Sequence, residues 1–522
     1  MSAGIAQTLG AALITLLLTS LFELLLVPRP RPLWRRSAAV IGVHAATTLL
    51  HFTLWLLIVQ RPWFAVVIAG SLQMVIVQVN NTKSASLREP FLCQDFEYFV
   101  DAVKHPRLYI PFFGIGLTIA ASSAGALAIA AGFWLEPSLF ARPDAPWSLF
   151  VTLALSAASV IALWLALPRM PACNLEPNHD LVELGIYPYL WAYGRLLRQP
   201  LAAGGNAAAF PQPATPPASN TLPHLVLVQS ESFFDPRSWY PGIRPEILRE
   251  FDTLSEQALA AGRLEVPAWG ANTVRTECAV LTGLTPEALG GHRFNPYHQL
   301  ARMPVRNLAG ALKALGYRTV CVHPYPASFY LRDRVYPQLG FDDFIDIRAF
   351  DESDRDGQYT GDLALAAKVR EMLATGPTQP LFVFVISMEN HGPLHLETPD
   401  ARVAADWLEG ELPEGHGDLA VYLRHLHNGD KMLARLKALL TTADRPGMLA
   451  FYGDHVPIMP GVYADHGEPD GLTNYFIWQS DAEPSDKVRQ TLSADKLGTT
   501  IYQTIIERNK QAIDGQSWRQ DA

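Results

Sequence analysis

The two halves of the chain follow different patterns of hydrophobic and polar residues. The first 167 residues hold five apolar segments with almost no internal charge, roughly 6–27, 38–60, 63–79, 109–134 and 147–167. Each is close to the ~20 residues that a helix needs to cross a hydrocarbon core about 30 Å thick. The first segment lacks a basic start and a small-residue cleavage site, which favours a retained anchor over a signal peptide. The pattern therefore predicts a transmembrane domain of five helices over residues 1–167.

The loops between these segments give a conflicting indication of orientation. Basic residues cluster in the first and third loops: Arg29, Arg31, Arg35 and Arg36, then Lys83, Arg88, Lys104 and Arg107. The positive-inside rule would keep both loops in the cytoplasm, and five crossings would then keep the C-terminal half there too. The third loop is also rich in acidic residues, and the chemistry described below favours the opposite, outward orientation.

Residues 168–222 are predicted to connect the membrane domain to a second domain. The piece 181–199 is amphipathic and rich in aromatic residues, so it is either a helix lying on the bilayer surface or a packing helix of the soluble domain. The following stretch, 204–220, is rich in Ala, Pro and Gly and is typical of a flexible linker.

From residue 223 onward, short apolar runs alternate with helical segments. The strand candidates begin HLVLVQ, YRTVCV, LFVFVI, MLAFYG and NYFIWQ, and the helix candidates are 359–375, 419–442 and 494–507. Continuous apolar strands separated by helices are typical of a parallel sheet with both faces covered. The sequence predicts an α/β domain over residues 223–515 with a mainly parallel sheet and a site beyond the carboxyl ends of its strands.

Composition narrows the class of function. Hydrophobic residues make up 49% of the chain and charged residues 17%, which agrees with a membrane-embedded half. The net charge of -9 argues against a nucleic-acid partner, because phosphate neutralisation needs a basic surface. The four cysteines form no CxxC pair and no metal-ligand spacing, so they indicate buried small hydrophobic residues.

Three of the strand candidates end on ionisable or polar side chains. Glu231 follows the first, Glu389, Asn390 and His391 follow another, and Asp454 and His455 follow a third. Such groups next to buried strands are costly unless they are paired or bind a metal. A mixed set of carboxylates and imidazole suits Mn²⁺, Mg²⁺ or Zn²⁺. The sequence therefore predicts one divalent metal at this edge of the sheet.

The stretch WGANTVRTECAVLTGL (269–284) supplies a candidate nucleophile. After a small-residue turn, Thr273 begins a predicted helix, where free backbone N–H groups and the helix dipole favour an anion. A hydroxyl touching a metal there is a potential nucleophile, and Thr276 is a second candidate. The alternative is that Thr273 only caps the helix. Thr282 and Thr285 lie too far along the helix.

Five motifs in this order resemble the lipoteichoic acid synthase-like phosphoglycerol transferases of the sulfatase and alkaline phosphatase superfamily. They are ESF (231–233), NTVRTECAVLTG (272–283), HPYPASFYLRDRVYPQLGF (323–341), SMENHGP (387–393) and YGDHVP (452–457). The five-span N-terminal half and the loop EPFLCQDFEYF (89–99) also resemble this architecture, with its outward-facing catalytic domain. True sulfatases carry a C/S-x-P-x-R motif, which the surroundings of Cys278 do not match.

The resemblance implies a role for each matching position. Glu231, Asp454 and His455 match the metal ligands, and Thr273, four residues before Glu277, matches the nucleophilic threonine that also touches the metal. The four-residue spacing to Glu277 selects Thr273 over Thr276 as the nucleophile that the resemblance implies. The matching substrate-binding positions are His391 for the phosphate, Arg332 for the glycerophosphate group and Tyr330 where the family carries an aromatic residue.

Structural alternatives stay open for several of these residues. His391 could instead make a hydrogen bond to the strand end, and Arg332 could form a surface ion pair with Asp333 or Asp343. His323 and His466 are expected to be structural histidines.

The resemblance implies a membrane-anchored transferase in a bacterial inner membrane, with its catalytic domain facing the periplasm or outside. Phosphatidylglycerol would donate glycerophosphate through a phospho-threonine intermediate, and Mn²⁺ is the first choice of metal. The acceptor would be an envelope glycan or a polyglycerophosphate chain. The alternatives are a phosphoethanolamine transferase, a phosphodiester or sulfate-ester hydrolase of the same fold, and a non-catalytic membrane receptor.

Overall fold

The chain divides into two compact units, residues 1–200 and 201–522. The computed structural model describes residues 2–97, 99, 115–201, 206, 209–213, 221–481 and 488–520. Much of the predicted linker, and the beginning of the fourth predicted membrane span, lie outside these residues.

The first unit is helical. Four segments are long and apolar enough to cross a membrane among the residues described: Ala3–Leu25, Ala38–Val59, Pro62–Leu87 and Ala145–Arg169. They match the first, second, third and fifth predicted spans. The third helix continues well past its predicted end at residue 79, because Asn80 is buried and bonds the Val27 carbonyl through its side chain at 2.8 Å. The helices are α1 (Ala3–Phe22), α2 (Ala38–Val59), α3 (Pro62–Leu87), α4 (Ile115–Leu135), α5 (Ala145–Ala166), α6 (Pro177–Leu184) and α7 (Ile186–Leu196).

The surface of this unit is suited to lipid. Leu13 and Leu17 on α1 are 58% and 57% exposed, and Trp164 on α5 is 75% exposed. Polar contacts point inward instead: Gln73 on α3 donates its side-chain N–H to the Thr19 carbonyl at 2.8 Å. An apolar exterior around internal hydrogen bonds is the arrangement that a bilayer requires.

Acidic residues of the same unit neutralise several of its loop cations. Arg36 and Glu23 are both buried and lie 2.8 Å apart, and Lys83 lies between two carboxylates at 2.7 and 2.5 Å. The pairs are Arg31–Glu183, Arg36–Glu23 and Lys83 with both Glu89 and Asp95. The number of Lys and Arg residues alone therefore overstates the net positive charge of the loops that carry these pairs.

The amphipathic segment predicted over 181–199 is two short helices, α6 and α7, joined at Gly185. The Ile186 N–H donates to Glu23 at 2.9 Å, and the Arg31 N–H donates to the Val182 carbonyl at 2.8 Å. The Trp191 indole donates to Thr47 at 2.9 Å. This segment thus packs on the membrane unit.

The second unit is built on a nine-stranded sheet. Its strands are β1 (His224–Ser230), β2 (Ala260–Glu265), β3 (Arg318–Val322), β4 (Asp343–Ile345), β7 (Leu381–Ile386), β8 (Gly447–Gly453), β9 (Thr473–Gln479), β10 (Val488–Arg489) and β11 (Leu492–Ser493); β5 (Arg355–Asp356) and β6 (Tyr359–Thr360) form a separate hairpin. The order across the sheet is β10-β2-β9-β8-β1-β7-β3-β4, with β11 beside β2.

The central strands confirm the predicted parallel core, and one edge departs from it. β8, β1, β7, β3 and β4 run parallel, but β9 runs antiparallel to both β8 and β2. The predicted mainly parallel sheet thus contains one antiparallel strand, β9, at the candidate segment 474–480. The connection 454–472 returns directly to the edge that β8 left, so no crossover helix is needed.

Helices cover both faces of this sheet. Alternate residues of β1 face opposite ways, with Val226 and Val228 in one hydrophobic core and Leu225 and Leu227 in the other. The helices are α8 (Arg249–Gln257), α9 (Thr273–Thr282), α10 (Pro286–Leu289), α11 (Tyr297–Leu300), α12 (Leu308–Ala314), α13 (Arg332–Leu339), α14 (Asp362–Ala374), α15 (Ala401–Trp407), α16 (Gly417–Thr441), α17 (Pro460–His466) and α18 (Ala494–Gln520).

Candidate active site

The carboxyl ends of β1 and β8 bring three ligand-type side chains together. Glu231 follows β1, and Asp454 and His455 follow β8, its direct neighbour. All three are at least 96% buried, and their potential ligand atoms lie within 4.8 Å of one another. The His455 Nε2 atom is 3.3 Å from Asp454 and 3.5 Å from Glu231.

The chemistry of this cluster fits a bound divalent cation. The Nδ1–H of His455 is directed to the Val456 carbonyl at 3.0 Å, which leaves the lone pair of Nε2 facing both carboxylates. Asp454 Oδ2 is buried without a hydrogen-bond partner in the described structure. Burial and the neighbouring Asp454 carboxylate raise the pKa of Glu231 to about 8. A cation would satisfy all three groups, because it replaces their mutual repulsion by attraction.

The backbone around the cluster is tightly fixed. Asp454 Oδ1 accepts from the N–H groups of Ser232 and His455 at 2.8 and 2.9 Å. The Ser232 hydroxyl donates to Glu231 at 3.0 Å. Only glycine fits at position 453, since a Cβ there would lie 1.9 Å from the Phe233 carbonyl oxygen. Both ligand loops are therefore held before any metal binds.

Thr273 is the first residue of α9, and its hydroxyl makes no hydrogen bond within the described part of the chain. Asn272 occupies the cap position in the left-handed conformation, with φ of 66°, so the alternative that Thr273 is only a helix cap is wrong. The hydroxyls of its neighbours are occupied: Thr276 donates to the Asp454 carbonyl at 2.7 Å, and Thr282 donates to the Cys278 carbonyl. The first of these bonds ties α9 to the ligand loop.

His391 lies beyond the end of β7 and is partly buried. Its Nδ1–H is directed to the Gly392 carbonyl at 2.7 Å, and its ring packs edge-on against Tyr359. Burial lowers the pKa of His391, so the neutral ring with a free Nε2 lone pair is favoured at neutral pH. The alternative role considered for His391, a structural hydrogen bond, therefore occupies only Nδ1 and leaves Nε2 available.

Arg332 is buried rather than on the surface. Its side chain is 1% exposed, and its Nε and one terminal nitrogen donate to Glu277 at 3.0 and 2.7 Å. The expected alternative of a surface ion pair with Asp333 or Asp343 is wrong, since Asp343 pairs with Arg318 instead. The actual partner, Glu277, lies on α9 four residues after Thr273, inside one of the quoted motifs.

The Arg332–Glu277 pair belongs to a larger buried network. Glu277 also accepts from the hydroxyls of Tyr297 and Tyr336, and the remaining Arg332 nitrogen lies 3.2 Å from His323 Nε2. Burial and the adjacent guanidinium lower the pKa of His323 to about 3, so it is a neutral acceptor in this network. The Arg332 guanidinium stands over the ring of Tyr330, 5.4 Å from its centre, and Tyr330 is only partly buried.

Replacing Glu277 by glutamine is expected to destabilise the protein by about 3–5 kcal/mol, because the Arg332 charge would remain buried without its partner. Asp343→Asn is the matched control: it breaks the exposed Arg318–Asp343 pair, which contributes at most about 1 kcal/mol. Thermal unfolding of the detergent-solubilised chain, followed by circular dichroism, measures both. Equal shifts in the two variants would show that the network does not support the fold.

Two other predicted groups lie apart from the cluster. Glu389, at the end of β7, accepts from the Asp362 N–H and the Asn428 side chain, both at 2.6 Å, and so joins β7 to the start of α14 and to α16. His466 is exposed and its ring packs at a tilt against Tyr240, with ring centres 4.4 Å apart. The sequence analysis assigned no positioning role to Ser232, Thr276 or Ser387, although all three lie inside the quoted motifs and their side chains orient the ligand loops.

A central parallel sheet with a buried carboxylate–imidazole cluster at its carboxyl edge defines a metal-site α/β enzyme domain. The sulfatase family model matches residues 223–505, just over half of the chain. The protein therefore belongs to the sulfatase family, and its predicted place in the sulfatase and alkaline phosphatase superfamily is confirmed.

Two proteins of Rhizobium meliloti (strain 1021) are similar in sequence. The capsular polysaccharide biosynthesis protein RkpI is 37% identical over 257 residues, which are 49% of this chain and 45% of RkpI. The protein named "Putative cyclic beta-1,2-glucan modification protein" is 25% identical over 478 residues, 85% of this chain and 70% of that protein. The chain thus spans less than half of RkpI.

Several solved structures are similar to this chain over a little more than half of its length. Streptococcus pyogenes phosphoglycerol transferase GacH, in complex with sn-glycerol-1-phosphate, matches with a TM-score of 0.44 and 20% identity over 55% of this chain and 76% of its own. Listeria monocytogenes lipoteichoic acid synthase LtaP matches at 0.43 and 21%, over 59% and 75%. The periplasmic domain of Escherichia coli EptC, in complex with Zn, matches at 0.41 and 18%, over 54% and 82%.

Proposed function

We propose that this protein is a membrane-anchored, metal-dependent transferase that moves glycerophosphate from phosphatidylglycerol to an acceptor in the cell envelope. The observation that carries the proposal is the free Thr273 hydroxyl at the start of α9, which is tied through Thr276 to a buried metal-type cluster. The five family motifs support the same residues. Two relatives named for polysaccharide and glucan chemistry support a glycan as the acceptor.

The proposed reaction has two steps. In the first, the Thr273 oxygen attacks the head-group phosphorus, the bond from phosphorus to the diacylglycerol oxygen breaks, and a glycerophospho-threonine remains. In the second, an acceptor hydroxyl attacks this phosphorus and the Thr273 oxygen leaves. The proton lost by each attacking hydroxyl goes to the oxygen that leaves.

Individual residues supply the rest of the chemistry. His391, with Nδ1–H fixed on the Gly392 carbonyl, has Nε2 available to give a proton to the diacylglycerol oxygen and to take one from the acceptor. The N–H groups at the start of α9 stabilise negative charge on the phosphoryl oxygens. Tyr330 would contact the head group from its partly exposed side, with Arg332 fixed behind it.

Glu231, Asp454 and His455, together with the Thr273 hydroxyl, would hold the metal. When bound, the ion would lower the pKa of the hydroxyl and neutralise charge on the phosphoryl group. Two carboxylates and one imidazole accommodate Mn²⁺, and we propose this ion before Mg²⁺ or Zn²⁺.

The contacts in the first unit support an outward orientation with five crossings. The start of α1 and residues 136–144 lie at one end, where the Gly4 N–H donates to Asp144 at 2.9 Å. The opposite end of the unit holds the first loop, residues 88–95 and α6–α7. There the Asn178 side chain donates to the Arg88 carbonyl at 2.9 Å. The chain must cross once between residues 95 and 136, and α4 is available for that crossing. With Arg31, Arg36 and Lys83 paired to acids, the second end can face the periplasm of an inner membrane.

Protease accessibility tests this orientation. In right-side-out membrane vesicles, added protease is expected to digest the chain beyond residue 200, whereas the membrane unit is protected by lipid. Inside-out vesicles are the control, and digestion in these alone would place the catalytic domain in the cytoplasm.

The reaction itself is tested by intact mass measurement and peptide mapping. The full chain is incubated with Mn²⁺ and mixed bacterial phospholipids, without an acceptor. A glycerophosphate adduct on Thr273 is the expected result. A phosphoethanolamine adduct would change the donor, and steady release of diacylglycerol without an adduct would indicate a hydrolase. If neither product forms, the proposed substrate class is wrong.

A further inference from the structure

Three aromatic side chains form a continuous group in the second unit, and none of them has a part in the reaction described above. The ring centres of Trp239 and Tyr463 lie 5.5 Å apart, and those of Trp269 and Tyr463 lie 6.4 Å apart. Each ring packs against the hydrophobic core on one side and is partly exposed on the other. We refer to Trp239, Trp269 and Tyr463 as the aromatic platform.

The topology of the sheet places this platform at the catalytic edge. Trp239 follows β1 in the segment that begins with Glu231, and Trp269 lies between β2 and Thr273. Tyr463 lies in the connection between β8 and β9, which stays at the edge because β9 is antiparallel. Its hydroxyl donates to the carbonyl of Pro457, two residues after the ligand His455. Each ring therefore stands on a segment that also carries a metal-cluster residue or the nucleophile.

The rim of the platform is acidic. Residues 464–468 are exposed, and the whole segment 459–471 contains Asp465, Glu468 and Asp470 but no lysine or arginine. The side chains of Asp465 and Asp470 are 64% and 56% exposed. Arg263 lies 2.8 Å from Asp470, and the His416 ring lies 2.9 Å from Asp465. A rim of this kind repels an anionic polymer, while its carboxylates accept hydrogen bonds from neutral hydroxyl groups.

We propose that the aromatic platform binds a sugar ring of an uncharged glycan, and that this glycan, not polyglycerophosphate, is the acceptor. The flat C–H face of a pyranose packs on aromatic rings, which present a large rigid apolar surface with a negative face. Sugar hydroxyls would reach the Asp465 and Glu468 carboxylates. The inference rests on the proposed transfer reaction and specifies its acceptor class.

Direct binding tests the platform without any turnover. A neutral β-glucan oligosaccharide is titrated calorimetrically into the full chain in detergent micelles. Trp239→Ala and Tyr463→Ala are expected to weaken binding about tenfold each, as aromatic anchors do when truncated. Trp407→Ala is the matched control, because Trp407 is also partly buried on the same core but lies outside the platform. Absence of binding to the wild-type chain, or an equal loss in the control, would overturn the proposal.

Discharge of the Thr273 adduct tests the acceptor class. The wild-type adduct is expected to disappear several-fold faster with the neutral oligosaccharide than with a polyglycerophosphate oligomer, and to persist with the oligosaccharide in Trp239→Ala. Glu468→Lys, a change at an exposed position, should raise the rate with polyglycerophosphate. Faster discharge by polyglycerophosphate in the wild type contradicts the inference. If the wild type forms no adduct, the transfer reaction fails, and the binding experiment still decides whether the platform holds sugar.

Discussion

Thr273→Ala is expected to lower transfer by about 10⁴-fold or more, because loss of a covalent nucleophile removes both steps of the reaction. The protein should still fold and bind its metal. The Thr273 side chain makes no hydrogen bond in the described structure, and the three buried ligands remain. Diacylglycerol release from labelled phosphatidylglycerol and the mass of the intact chain measure the effect.

The same segment provides the controls for this variant. Thr285→Ala removes another threonine hydroxyl, which caps α10 by accepting from the Ala288 N–H at 3.3 Å. It should cost only about 1 kcal/mol of stability and retain activity. Thr273→Ser keeps a hydroxyl and should retain part of the transfer. A Thr273→Ala protein that still accumulates a glycerophosphate adduct would exclude Thr273 as the nucleophile.

Asp454→Asn is expected to weaken metal binding at least about 100-fold, since even residues behind the ligands change metal affinity by 10–100-fold. The substitution removes the carboxylate charge and keeps the local hydrogen bonds. The asparagine oxygen can still accept from the N–H groups of Ser232 and His455, while the unpartnered Oδ2 is replaced by a neutral amide nitrogen. Addition of Mn²⁺ should raise the unfolding temperature of the wild type by several degrees and leave that of the variant unchanged.

A matched carboxylate exists elsewhere in the second unit. Asp430 is also buried and accepts from the N–H groups of Glu250 and Phe251 at 3.1 and 2.8 Å, but it belongs to no ligand cluster in the described structure. Asp430→Asn should therefore keep the metal-dependent rise in unfolding temperature. Elemental analysis after dialysis gives an independent measure. Equal metal content in Asp454→Asn and the wild type would show that the ion binds at another place.

Local sequence signals predicted the core of the fold and the metal cluster well. A buried strand followed by ionisable residues marked three strand ends, and the family resemblance selected Glu231, Asp454 and His455 among them; the structure brings these three side chains together. The same reasoning located the start of α9 at Thr273.

Long-range pairing was much less predictable. The antiparallel direction of β9 depends on its neighbours and not on its own composition. Arg332 has acidic residues close by in the sequence, yet it pairs with Glu277, 55 residues away, because a buried cation needs a buried partner. In the membrane unit, the polar residues at the end of α3 made the predicted span too short. Their hydrogen-bond partners lie in another loop, which the sequence pattern does not show.

The adjacency of β1 and β8 also determines when the metal can be acquired. Glu231 is synthesised more than 200 residues before Asp454 and His455, and β8 reaches its place only after most of the second unit has been made. Early in biosynthesis the chain offers one isolated carboxylate, which holds a divalent ion poorly. On the proposed function, metal binding would therefore be a late event in maturation, and the ion would come from the compartment in which folding is completed.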